Sequence, residues 1–136
     1  MNFNYILDTF KKIFKTSSKY EQIEKEAIGL IQLYYRGIIT NKKFYTQMME
    51  LQDRLQTANP DNVIDQGYPL WLSQFLGYAF YDWCNWYKLK LLHAEHPEKF
   101  NTPQLEGQFQ QLKERDLDRV FREHCRKYLI ELNVFT

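Results

Sequence analysis

The sequence predicts an all-α protein, a single-domain bundle of five or six helices around one central aromatic-rich helix. Three observations lead to this prediction. Apolar residues recur three and four positions apart along most of the chain, helix caps and prolines separate these segments, and no stretch alternates convincingly as a strand would. The chain has 136 residues and no glycine- or serine-rich linker, so we expect one domain, residues 1–136.

The first predicted helix covers residues 3–15. Phenylalanine, isoleucine and leucine recur there at helical spacing, with lysines among them. We expect the phenylalanines to pack on the rest of the domain. The alternative is that this lysine-bearing helix lies on a membrane surface.

The next two helices are marked by their ends. A capping box at 18–21 begins the second helix, and Gly37 is placed to end it. Thr40 or Asn41 caps the third helix, which should stop before Pro60 because a proline disfavours a helical residue ahead of it. Residues 58–69 then form a loop.

The fourth helix, from 69 to about 93, is called here the aromatic helix. Its region contains Tyr68, Trp71, Phe75, Tyr78, Phe80, Tyr81, Trp83, Trp86 and Tyr87. Because it is apolar nearly all round, we expect the other helices to wrap it and at least one of Trp83 and Trp86 to be fully buried. Its polar groups, among them Asp82 and Asn85, should then bond to one another inside the bundle. The longest apolar run, 70–81, is shorter than the roughly 20 residues that span a membrane.

Two helices follow a break at Pro97. Thr102 caps the first, with proline at its first helical position. The apolar phase then slips by a five-residue step from Leu112 to Leu117, which predicts a kink or break near 114–116. Only residues 134–135 could be extended.

The sequence contains no recognisable catalytic or metal-binding constellation. His93 and His96 lack a third ligand at metal-site spacing, so we expect a solvated helix end there. Cys84 and Cys125 fall at core positions, which indicates reduced, buried thiols in a cytoplasmic protein. No glycine-rich phosphate loop is present. We therefore expect that the protein is not an enzyme and that it binds no metal, cofactor or small-molecule substrate. The alternative is an enzyme whose active site cannot be recognised from the sequence.

One stretch is acidic, although the chain has a net charge of +1. Between residues 50 and 82, five acids stand against Arg54 alone, a local net charge of −4 (five minus one). An acidic loop beside aromatic residues suits recognition of a basic protein such as a nuclease, and the alternative is an ordinary polar loop. The candidate partner-binding residues are Glu50, Asp53, Asp61, Asp65, Tyr68 and Asp82.

Four arginines form a stripe along one line of the last helix. They are Arg115, Arg119, Arg122 and Arg126. Their spacing places them on one side, where they could bind the phosphates of nucleic acid or an acidic partner. The simpler interpretation is that this side of the helix faces solvent and that its charges form the ion pairs Asp118–Arg122 and Glu123–Lys127.

Residues 30–44, LIQLYYRGIITNKKF, combine a helix end, a glycine turn, an Ile-Thr pair and an aromatic residue four positions on. This pattern resembles the opening helix pair of all-α bacterial immunity proteins, which protect cells from bacteriocins or contact-dependent growth inhibition toxins. The resemblance covers about residues 20–55. It implies a cytoplasmic protein without chemistry of its own that binds a cognate toxin and blocks its active or substrate-binding face. Nucleic-acid binding through the arginine stripe is the alternative function, and membrane insertion is not expected.

Overall fold

A computed structural model of the protein describes residues 19–114 and 117–134. The helix expected over 3–15, Ser18 of the capping box, Arg115 and Phe135 lie outside them. The α-helices are α1 (Glu21–Tyr35), α2 (Asn41–Ala58), α3 (Leu70–Gln74), α4 (Phe80–Glu95), α5 (Pro103–Glu114) and α6 (Leu117–Glu131). A π-helical turn, Phe75–Ala79, joins α3 to α4, and a 3-10 turn, Pro97–Phe100, precedes α5. These described residues include no strand, so the all-α prediction is confirmed.

The turn between α1 and α2 has the geometry that its glycine predicts. Gly37 adopts a left-handed conformation with φ of +72°, which a residue without Cβ takes up at no steric cost. Its N–H donates to the carbonyl of Tyr34 at 3.0 Å, and the N–H of Ile38 donates to the carbonyl of Leu33 at 2.9 Å. This pair of hydrogen bonds is a Schellman motif, which satisfies carbonyls left unpaired where α1 ends.

Other predicted helix ends are confirmed as well. The Thr40 hydroxyl accepts a hydrogen bond from the N–H of Lys43 at 3.2 Å, so threonine is the cap of α2. That helix ends at Ala58, ahead of the proline. The Thr102 hydroxyl accepts from the N–H of Leu105 at 3.3 Å. One helix ends at Glu114 and the next begins at Leu117, as the slip in apolar phase predicts.

The core lies where the aromatic helix (α3, the π turn and α4) meets α1, α2 and α6. Trp83 is 1% exposed and Trp86 is 7% exposed, which confirms the predicted burial. The ring of Trp83 contacts rings from three other helices, with centroids 5.8 Å from Tyr34, 5.4 Å from Phe44 and 5.4 Å from Phe121. Such edge and tilted contacts between aromatic rings add to the free energy gained from burial.

The aromatic helix is central to the bundle, as expected, but part of its surface is exposed. Tyr78, Tyr81, Asp82 and Asn85 are exposed, so the last two are not bonded inside the bundle. Among residues 19–114 and 117–134, the helices that pack against this segment leave these side chains uncovered. Its aromatic content is therefore divided between a core face and a solvent face.

The π turn contributes to this division. The N–H of Phe80 donates to the carbonyl of Phe75, five residues back instead of four. A π turn accommodates one extra residue in the helix and so shifts the rotational phase of the side chains that follow. Phe75, Leu76, Ala79 and Phe80 all remain buried across it.

The 3-10 turn and α5 form a smaller layer against the end of α4. The ring of His93 stacks on Phe109 with centroids 3.8 Å apart, and Phe100 approaches it at 5.1 Å. None of the helices that the structure describes is both long and apolar enough to cross a membrane.

Candidate functional site

The loop between α2 and α3, residues 59–69 and here called the acidic loop, is held by side-chain hydrogen bonds. Its first residue, Asn59, is buried at the end of α2. The Asn59 amide donates to the carbonyl of Val63 at 2.8 Å and accepts from the N–H of Val63 at 3.2 Å. These two bonds close residues 59–63 into a small ring and fix their conformation.

The second half of the acidic loop is anchored to the start of α1. The Tyr20 hydroxyl donates to Asp65 at 2.7 Å, and the Lys19 ammonium lies 3.3 Å from the other carboxylate oxygen. The Tyr20 ring also meets Tyr68 edge-on at 5.3 Å. The Tyr20 hydrogen bond and the nearby lysine hold the pKa of Asp65 below its ordinary value. Asp65 is therefore an anchor of the loop, and its charge is partly satisfied within the protein.

Between these two anchors the loop presents apolar side chains to solvent. Val63 is 53% exposed and Ile64 is 74% exposed. Asp61 is exposed as well, so a free carboxylate stands two residues before the apolar pair. Sequence reasoning identified Asp61 and missed Val63 and Ile64, although two adjacent β-branched residues within a polar loop were a visible signal.

The structure does not bring all six candidate partner-binding residues together. Asp61, Asp65 and Tyr68 share the acidic loop, and Asp53 is exposed on the preceding helix. Glu50 lines a groove between α1 and α2. Asp82 lines a different groove, between α4 and α6. The local charge of −4 is thus spread over several surfaces.

A groove of about 400 Å³ adjoins the acidic loop and is called here the loop groove. Its lining residues are Gln52, Leu55, Gln56, Asn59, Pro60, Asn62, Tyr68, Ser73, Leu76 and Gly77. They come from α2, the acidic loop, α3 and the π turn. None of them carries a charge.

The arginine stripe is partly used inside the protein. Arg122 donates from Nε to Asp118 at 3.2 Å and from a terminal nitrogen to the carbonyl of Tyr35 at 3.2 Å. Its guanidinium also lies 5.1 Å from the centre of the Tyr34 ring. Arg126 is 4.0 Å from Glu123, and Arg119 is exposed. The predicted Asp118–Arg122 pair is confirmed, whereas Glu123 pairs with Arg126 instead of Lys127.

Asp118 also belongs to a buried polar network that connects three helices. The buried Tyr34 hydroxyl of α1 donates to Asp118 of α6 and accepts from the indole N–H of Trp83 of α4 at 3.1 Å. Burial and the neighbouring carboxylate both raise the pKa of Tyr34. The network satisfies polar groups that would otherwise be costly inside the core.

Cys84, Cys125, His93 and His96 are the side chains whose chemistry the sequence left open. Cys84 and Cys125 are buried, as predicted, and burial raises the pKa of both thiols, that of Cys84 to about 12. His96 is exposed as expected, but His93 is half-buried by its ring contacts. Within 19–114 and 117–134, no three metal-ligating side chains cluster.

Comparison with protein-family models, with proteins of assigned function and with solved structures finds no match to this chain.

Proposed function

We propose that the protein is an inhibitor of the immunity type, which binds a basic protein toxin in the cytoplasm and blocks its active or substrate-binding face. The contact surface is the acidic loop. The observation that carries the proposal is the exposure of Val63 and Ile64 on a loop that is hydrogen-bonded at both ends. The resemblance of residues 20–55 to immunity proteins supports the same role.

Apolar side chains gain free energy when a partner covers them, and that gain is larger when the loop is already ordered. A mobile loop loses conformational entropy on binding, which a loop fixed by Asn59 and Asp65 has already lost on folding. The free carboxylate of Asp61 adds long-range attraction for a basic surface. Together these features fit an interface with a small apolar centre and a charged rim.

The arginine stripe supports the alternative, nucleic-acid binding, less well. A guanidinium that already bonds Asp118 and a backbone carbonyl has fewer donors left for phosphate. Binding through phosphates would also weaken steeply as salt rises, which separates the two functions in a titration.

The experiment compares loop variants in a growth-protection assay and in calorimetric titration. The probe is the toxin domain that the proposed function expects a neighbouring gene to encode. Val63→Ser/Ile64→Ser removes the apolar contact, and Asp61→Lys places like charges across the interface. We expect each variant to lower the affinity at least tenfold and to weaken protection.

Two matched controls make the same chemical changes elsewhere. Ile38→Ser removes an isoleucine that is 67% exposed on the α1–α2 turn, and Glu131→Lys reverses an exposed charge at the end of α6. Both should bind like the wild type. Equal affinity of the loop variants and the controls would remove the acidic loop from the interface, and no protection by the wild type would contradict the immunity role.

A further inference from the structure

The loop groove differs from the charged surface around it. About a quarter of the chain is charged (26%), yet none of the described residues that line this groove carries a charge. Its polar side chains are amides and hydroxyls, among them Gln52 and Gln56 one turn apart on α2, Asn62 of the acidic loop and Ser73 of α3. Leu55, Leu76 and Tyr68 supply apolar surface between them.

The π turn forms one side of the loop groove. Gly77 lies in its middle, is exposed, and has a negative φ, so its backbone does not require glycine. A β-carbon at this position would meet no neighbouring atom within 4 Å. The absence of a side chain at Gly77 therefore leaves open space over the groove. Packing inside the protein does not require glycine at this position. π turns within helices are also frequent at functional sites.

We infer that the loop groove binds an extended, uncharged segment of the toxin's main chain while the acidic loop holds the neighbouring basic surface. This inference rests on the proposed function and names a second, distinct part of the same interface. The groove is continuous with the proposed contact surface because Asn62 and Tyr68 belong to both.

The chemistry of the groove fits a peptide backbone. An amide side chain offers both a donor and an acceptor, as the N–H and C=O groups of an extended segment require. Gln52 and Gln56 can each satisfy one peptide unit, and the open space above Gly77 lets the backbone approach closely. A lysine or arginine of the partner would meet no carboxylate among the described residues of the groove, whereas the exposed Asp61, next to Asn62 in sequence, is available for that contact.

The first test fills the groove from its own side. Gly77→Leu projects a side chain into the space where the segment would lie, and Gly77→Ala matches it in backbone entropy while leaving most of that space open. We expect Gly77→Leu to bind the neighbouring toxin domain at least tenfold more weakly than Gly77→Ala. Gly29→Leu makes the same change in the α1–α2 groove, where a β-carbon is equally free, and should bind like the wild type.

The second test asks whether the bound segment is charged. Gln56 is exposed, so Gln56→Glu and Gln56→Lys should both fold. The partner's basic surface would favour glutamate over lysine at any nearby position, so the two variants are compared at high salt, where long-range attraction is screened. An uncharged backbone then loses part of its hydrogen bonding in either case, so both variants should weaken binding about threefold to tenfold. A charged segment would make one substitution weaken binding and the other strengthen it, which would overturn the inference.

The outcomes separate this inference from the proposed function. Weaker binding by Asp61→Lys with equal binding by Gly77→Leu and Gly77→Ala would leave the acidic loop in the interface and exclude the loop groove. Weaker binding by Gly29→Leu alone would assign the contact to the α1–α2 groove instead. Absence of binding by the wild type would remove the proposed function and the groove inference with it.

Discussion

Replacing Tyr34 by phenylalanine removes one oxygen atom from the centre of the core. That oxygen donates to Asp118 and accepts from the indole N–H of Trp83, and its side chain is buried. Losing a hydrogen bond to a charged group costs about 1.5–3 kcal/mol, and a buried donor left without an acceptor costs about 1–3 kcal/mol. Asp118 keeps its bond to Arg122, so we expect Tyr34→Phe to lower the free energy of unfolding by about 2–4 kcal/mol.

Urea unfolding followed by far-UV circular dichroism measures this change without depending on tryptophan fluorescence. At a typical slope of about 2 kcal/mol per molar urea, the midpoint should fall by about 1–2 M. Tyr78→Phe removes the same atom from an exposed ring and should stay within about 0.5 kcal/mol of the wild type. In a double-mutant cycle, Trp83→Phe should cost less in the Tyr34→Phe background, because the unpaired donor is then absent. A Tyr34→Phe variant as stable as Tyr78→Phe would refute this account of the network.

Two further predictions concern pH and the anchor of the acidic loop. Burial raises the pKa of Cys125, so the unfolded chain releases that proton first, and stability is lost as pH rises above the ordinary thiol value of about 8.5. Between pH 7 and 10 this loss should be about 2 kcal/mol, and Cys125→Ala should show a correspondingly flatter stability profile; parallel profiles would contradict it. The pKa of Asp65 is lowered, so its contribution is present above about pH 3.9 and disappears as pH falls through the lower folded value. At pH 7, Asp65→Ala should therefore lower the melting temperature more than Asp61→Ala does, a difference that should vanish in acid; equal melting temperatures at pH 7 would show that Asp65 is no anchor.

The parts of the fold that local sequence determines could be predicted well. The ends at Gly37, Thr40 and Thr102 depend on residues within five positions, and their hydrogen bonds are those that the residue types favour. The break between α5 and α6 was visible as a slip in apolar phase. The solvent side of the aromatic helix carries Tyr78 and Tyr81 beside polar residues such as Asp82. Because the two tyrosines read as apolar, periodicity alone made the helix look apolar nearly all round.

The candidate site was harder to predict because its anchors are distant in sequence. Tyr20 and Asp65 are 45 residues apart, so nothing near Asp65 shows that its charge is partly satisfied. Arg122 lies in line with the other arginines of α6, but its contact with Tyr35 spans 87 positions. The π turn also has no clear local signal beyond Gly77. Counting charges in the sequence therefore located the acidic loop. It could not show that the carboxylate of Asp61 is free while that of Asp65 anchors the loop.

The measurement that tests the central claim most directly is amide hydrogen exchange of the protein with and without the neighbouring toxin domain. Exchange slows where an interface covers the backbone or stabilises it against opening. We predict that binding slows exchange in residues 59–69, with a smaller effect around Gly77 on the far side of the loop groove. Protection confined to α6 around Arg119 and Arg126, with unchanged exchange in the acidic loop, would contradict the claim.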